Sequence, residues 1–192
     1  GHVGAIQGTA TMRHGGESEF RKINENHELK LADTFITAAD SRLYLKFTES
    51  SHLSLAGDSE IYIFDSSTER TASHFGADLS SGAARFIKKL ENTIPASSYT
   101  ITTATALISL DPSDRPSDFV VTVHNSGRTS VTVLRGKVRV KNVIGNLSLE
   151  RTAESCEMVD VGQGKEPSRV IRVSTAHLKE LVEMTTVPNT LI

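Results

Sequence analysis

The sequence predicts an all-β fold of short strands, wound as a solenoid-like or sandwich-like domain and closed by a short C-terminal helix. Three observations carry this. Apolar residues alternate with polar ones in two separate blocks, β-branched residues are enriched where they alternate, and one segment near the end has helical spacing.

The first block runs from Arg42 to Phe64. Leu43, Leu45 and Phe47, then Leu53 and Leu55, then Ile61 and Ile63 fall on one side, against Tyr44, Lys46, Thr48, Ser54, Glu60 and Tyr62. A period of two puts each set on its own strand face. Ser50-Ser51 and Gly57-Asp58 break the run at turns, giving three short strands. The second block, Phe119 to Val140, repeats the layout. Phe119, Val121 and Val123 precede the turn Asn125-Ser126-Gly127, Val131 and Val133 precede Arg135-Gly136, and Val138 and Val140 lead to Asn142. Two such blocks suggest an internal duplication or a winding architecture.

Between the blocks, Ala83 to Leu90 reads as a helix turn because Phe86, Ile87 and Leu90 are near-helically spaced. Tyr99 to Leu110 is Thr-rich and reads as a strand, and Asp111 to Asp118 reads as a proline-punctuated polar loop. In His177–Met184, Leu178, Leu181 and Val182 recur at i, i+3 and i+4 behind Ser174 or Thr175 as cap, which predicts the C-terminal helix.

The totals exclude several function classes. The 192 residues carry 21 Lys+Arg and 23 Asp+Glu, a formal net charge of -2. That balance argues against a basic nucleic-acid binder and a polybasic membrane-surface protein. A chain of this size buries roughly 70% of its unfolded surface, enough for a core without staples. The single cysteine, Cys156, cannot form an internal disulfide or a Cys-rich metal site. No apolar run approaches the roughly 18 residues of a membrane helix. Gly1-His2 reads as a tag remnant, with a native leader expected before it.

Candidate chemistry is sparse. The seven histidines (His2, His14, His27, His52, His74, His124 and His177) show no metal-ligand spacing. Asp111, Asp114 and Asp118 lack the spacing and turn glycine of a calcium loop, so a solvated loop is expected. Cys156 lies between Glu154 and Glu157, whose charge opposes thiolate formation. Ser80-Ser81-Gly82 lacks the nucleophile-elbow pattern. Gly162-Gln163-Gly164-Lys165 reads as a turn rather than a phosphate loop, and Arg85, Lys88 and Lys89 as a solvated basic face. Asn146-Leu147-Ser148 is a glycosylation sequon. Tyr44 and Tyr62 fall on the polar faces of their strands and form the candidate ligand platform, in a chain with no Trp. No catalytic, cofactor or metal residue is assigned.

The order of these segments resembles the FecR-like domain. The resemblance rests on Val3–Ala10, on Leu31–Thr37 running into Ser41–Phe47, Ser51–Leu55 and Asp58–Ile61, on Leu79–Phe86, on Arg128–Val140 and on Val161–Gly164. Thr103–Ala106 and the loop Asp111–Asp118 stand where that family commonly carries a Gly-Thr-x-Phe segment. The resemblance implies an extracytoplasmic bacterial β-domain at residues 3–170, with 171–192 as an extension bearing the helix. In the family's iron-transport regulators such a domain relays a signal from an outer-membrane receptor to a sigma factor.

The expected function is therefore a non-enzymatic protein-interaction or signal-sensing module, periplasmic or secreted. Its expected partner is another envelope protein, with no nucleic acid, no membrane span and no cofactor, and with oligomer formation left open. The alternative is a β-domain that binds a saccharide or cell-wall ligand.

Overall fold

The computed structural model describes residues 1–47, 51–65, 73–89, 97–110, 116–143, 149–188 and 190. It holds sixteen strands in one connected, unclosed hydrogen-bonded network and one C-terminal helix. The strands are β1 (His2–Gln7), β2 (Ala10–Arg13), β3 (Arg21–Lys22), β4 (Thr34–Thr37), β5 (Arg42–Lys46), β6 (Ser51–Leu55), β7 (Glu60–Asp65) and β8 (Ser73–Lys88). They continue as β9 (Ser97–Thr102), β10 (Ala106–Leu110), β11 (Ser117–Val123), β12 (Thr129–Arg135), β13 (Lys137–Asn142), β14 (Glu150–Glu154), β15 (Glu157–Val161) and β16 (Ile171–Arg172).

The long strand β8 divides the network into two sheets. Its second half, Gly82 to Lys88, lies between β6 and β11 in sheet I, whose order is β1-β5-β6-β8-β11-β12-β15-β16. Its first half lies between β7 and β9 in sheet II, ordered β3-β2-β4-β7-β8-β9-β10-β13-β14. The β8–β9 pairing is parallel and every other pairing is antiparallel. The change of sheet occurs at Gly82, whose φ of +77° suits glycine. A side chain there would meet the Ser59 hydroxyl, which accepts from the Ala83 amide (2.9 Å) and donates to the Ala83 carbonyl (3.1 Å). Ser59 thus ties the bend at Ala83, whose carbonyl also accepts from the Ala56 amide (2.9 Å).

The inward residues of both sheets share one buried cluster. Leu43, Leu45, Leu53, Leu55, Phe86 and Phe119 come from sheet I, and Met12, Phe35, Ile61, Ile63, Leu79 and Ile101 from sheet II. Each lies on the apolar face that alternation assigns to its strand.

Four expectations change. Ala83 to Lys88 is strand, not helix, because apolar side chains are buried on both of its faces. Leu90 lies outside the described residues. Tyr99 to Leu110 is two strands, β9 and β10, joined through Thr103-Ala104-Thr105, where buried hydroxyls of Thr103 and Thr105 both reach Thr129 (2.7 and 2.8 Å). The two blocks are not a tandem repeat: β6, the second strand of its hairpin, borders β8 on one side, whereas β11, the first of its hairpin, borders it on the other. Asp118 belongs to β11 rather than to a loop. Residues 111–115 and the sequon at 146–148 lie outside the described residues. The Gly162–Lys165 turn forms as expected, closed by the Lys165 amide on the Gly162 carbonyl.

The helix α1 spans Thr175–Thr185. Ser174 is its cap, accepting from the His177 amide at 3.2 Å. It packs on the outer face of sheet I, where Leu181 and Met184 meet Ala56, Ala83, Val120 and Leu134 in a second small cluster.

Candidate functional site

The two tyrosines of the expected platform do not come together. Tyr44 lies in β5 of sheet I, 6% exposed. Its hydroxyl meets His52 Nδ1 at 2.7 Å and the two rings stack at 5.5 Å. Tyr62 lies in β7 of sheet II and is 38% exposed. Its neighbour in space is Phe64, two residues on along the same face, 40% exposed, with ring centroids 6.5 Å apart. The Phe64 ring lies over Gly76, where an added Cβ would come within 2.2 Å of Phe64 Cε2. Asp78, paired with Tyr62 across the ladder, accepts from the Thr102 hydroxyl at 2.8 Å. An aromatic pair beside a carboxylate and hydroxyls therefore stands open on sheet II. The readable signal for it was the i, i+2 placement of Tyr62 and Phe64.

The basic trio Arg85, Lys88 and Lys89 is not a uniform solvated face. Arg85 is buried, and its guanidinium meets Asp118 through two bonds, Nε to Oδ1 at 2.8 Å and NH2 to Oδ2 at 2.7 Å. A fork-on-carboxylate pair is rigid and strongly directional. A third bond reaches the Thr186 hydroxyl just past α1 (3.2 Å). Arg42 holds the same end of the helix, with Nε on the Met184 carbonyl at 2.9 Å and NH1 on Gln7 Oε1 at 2.8 Å.

Two polar clusters resemble catalytic constellations in composition only. His124 Nε2 lies 2.7 Å from Ser130 Oγ, and Ser130 donates to Asp160 Oδ1 at 2.5 Å. The serine proton thus points to the carboxylate and not to the imidazole, so the imidazole cannot serve as its base. Burial, then the Arg128 guanidinium, hold His124 below the usual imidazole range, against the opposing pull of Asp160. In the second cluster, fully buried Asp33 takes His14 Nδ1 at 2.8 Å and the Lys30 amide at 2.7 Å. This pair borders an open cleft of about 400 Å³ shared with Glu17, Arg21, His27 and Glu28. No group of three potential metal ligands occurs among the described residues. Cys156 is a free, half-buried thiol with φ of +67° in the turn from β14 to β15.

The sheet edges differ in accessibility. The edge of β1 is covered by the chain at 26–29, through Val3 N to His27 O, Asn26 N to Val3 O and Leu29 N to Gly1 O. β3 and β16 are two residues long. The five-residue β14 is the longest edge with no further strand beside it among the described residues. It carries a charged ladder with β13, Lys137 to Glu154 at 3.3 Å and Lys141 to Glu150 at 3.0 Å.

The family model of the FecR protein matches residues 33–139, more than half of the chain, and spans β4 to β13. The chain belongs to the FecR family. Two crystal structures of a protein from Parabacteroides distasonis, described as a "putative anti-sigma factor", share the fold. They superpose with TM-scores of 0.57 and 0.55 at 13% identity, covering 76% of this chain and 62% of that one. The chain thus spans less than two thirds of the length of these neighbours. Among curated proteins, none matches it by sequence. Among the described residues no helix of this FecR chain is long and apolar enough to cross a membrane.

Proposed function

We propose that this chain is a signalling module that acts outside the cytoplasm by binding another envelope protein, without catalysis of its own. Family membership supports the regulatory role, and the structural neighbour described as an anti-sigma factor is consistent with it. The observation that carries the binding mode is the open edge of β14. A strand edge offers unpaired amides and carbonyls to a partner strand, and the Glu and Lys ladder beside it gives selectivity while discouraging indiscriminate pairing. The test is a photo-crosslinking residue at Thr152, exposed at the middle of β14. It is expected to trap one envelope protein in cells, and Glu150→Lys with Glu154→Lys is expected to abolish the adduct. Absence of any adduct from Thr152 contradicts this reading.

A second reading is favoured by a separate observation, the Tyr62–Phe64 pair beside Asp78 and Thr102. Neighbouring exposed aromatic rings next to hydrogen-bonding groups suit a saccharide or cell-wall ligand. Here Phe64 replaces Tyr44 as the partner of Tyr62. Retention on insoluble peptidoglycan that disappears in Tyr62→Ala/Phe64→Ala, with the Thr152 adduct absent, selects this reading over the first.

A further inference from the structure

Strand β14 turns a charged residue to the inner side of its sheet. The ladder with β13 sets Arg151 opposite Val140 and Ala153 opposite Val138, and both valines are fully buried. Paired residues share a face, so Arg151 points inward while Glu150, Thr152 and Glu154 point out. Arg151 is half-buried, and its Nε is buried with no hydrogen-bond partner. A buried donor without an acceptor is costly. No strand lies beyond β14 among the described residues, so an acceptor can enter from the open side of the ladder.

The outward side has a pattern of its own. Glu150 and Glu154 take Lys141 and Lys137 of β13 at 3.0 and 3.3 Å, and their side chains are still 33% and 63% exposed. Basic residues on the far side would continue the alternation of sign across three strands. A second copy of this chain does not fit. Antiparallel pairing of two β14 strands in full overlap centres on Thr152, which sets each Glu150 opposite a Glu154 and each Arg151 opposite an Ala153. Like charges directly opposite destabilise a ladder, and both guanidinium groups stay without an acceptor. Moving the centre to Arg151 sets the two guanidinium groups against each other.

We infer that the β14 edge selects an extended segment of a partner protein with the pattern Lys/Arg, apolar, any, Asp/Glu, Lys/Arg, paired antiparallel. The basic ends face Glu154 and Glu150, the apolar residue continues the core row Val138–Ala153, and the carboxylate takes the Arg151 guanidinium. This rests on the β14 reading above and names the chemistry of the partner. A neutral strand would enclose Arg151 without a counter-charge, so the residue that admits the right strand discourages the others.

The test titrates the full chain with a fluorescent peptide, Ser-Lys-Val-Thr-Glu-Lys-Ser, blocked at both ends. Replacing its glutamate by leucine should weaken binding to wild type about tenfold or more. The same replacement should change little on Arg151→Leu, the coupling expected of two groups in contact. A peptide with glutamates in place of its lysines should bind Glu150→Lys/Glu154→Lys better than wild type. Equal binding of the glutamate and leucine peptides to wild type, or no binding up to about 1 mM, would overturn the inference. A wild-type dimer crosslinked through Thr152 would overturn it too. Should a variant not fold, the peptide series on wild type decides. The underlying reading fails separately. A Thr152 adduct in cells whose crosslinked segment lacks the pattern removes the inference and leaves the edge reading standing, whereas absence of any adduct removes both.

Discussion

The two sheets share a core but differ on their outer faces. On sheet II, β2 and β10 keep the simple alternation, burying every second residue and leaving the others half-open. Its outer surface shows Tyr62 and Phe64 beside hydroxyls and a carboxylate. On sheet I, β12 buries five consecutive residues and β6 four. Helix α1 covers part of this outer face at Ala83, Val120 and Leu134, while outward Ser130 meets His124 and Asp160 and outward His52 meets Tyr44. The lesson is that one sheet face was made into an interior, in part by a helix that folds back on it. That interior tolerates polar groups only where they find partners, as Arg85 does with Asp118.

The largest way to break this contrast is to orphan the buried charge. Asp118→Ala should cost about 3 kcal/mol in urea unfolding, since it leaves the Arg85 guanidinium unpaired under the helix. Glu154→Ala, which removes the exposed Lys137 pair on sheet II, should cost no more than about 1 kcal/mol. Similar costs would remove the distinction. Next in size, Leu181→Ala should destabilise by about 2 kcal/mol and raise exchange in α1. No change in either would mean that the helix contributes nothing to sheet I.

A smaller effect is expected from pH. His124, on the outer side of sheet I, is held below its ordinary value of 6.5 in the folded chain. The unfolded chain therefore takes up the proton first. Stability is full above pH 6.5 and declines as pH falls through that value toward the lower folded pKa. His124→Gln should flatten this decline, and unfolding midpoints measured between about pH 7.5 and 5.5 would check it. The smallest stability effect belongs to sheet II. Tyr62→Ala/Phe64→Ala should stay within about 1 kcal/mol of wild type in the same assay. A larger loss would mean that the pair holds the fold instead of serving a ligand.

Much of this was legible from the sequence, for physical reasons. Alternation located β5, β6, β7, β11, β12 and β13, because one-sided burial leaves a period of two. Ser174 and the Leu178, Leu181, Val182 spacing located α1. Residues 83–87 defeated the same reasoning: Ala83 and Ile87 face outward yet are buried, so the period of two vanished and the run read as helical. Tyr44 shows the complementary error. Alternation correctly gave its side of the strand but could not show that His52 and the close approach of Gly4 would bury that side. The Arg85–Asp118 pair joins residues 33 positions apart with no local signal between them. Phe64 closes the alternating run in the sequence, one residue before the end of β7, yet as the i+2 neighbour of Tyr62 it shares that residue's face.

The most direct test of the contrast places one lysine on each outer face. Val120→Lys puts the ammonium on sheet I, where Val120 is buried among Ala56, Ala83 and Leu181. Leu107→Lys puts it on sheet II, at a half-exposed outward position between Thr102 and Lys141. Urea unfolding should show a loss of at least about 2 kcal/mol for Val120→Lys and less than about 1 kcal/mol for Leu107→Lys. Equal losses, or a larger loss at Leu107, would contradict the account.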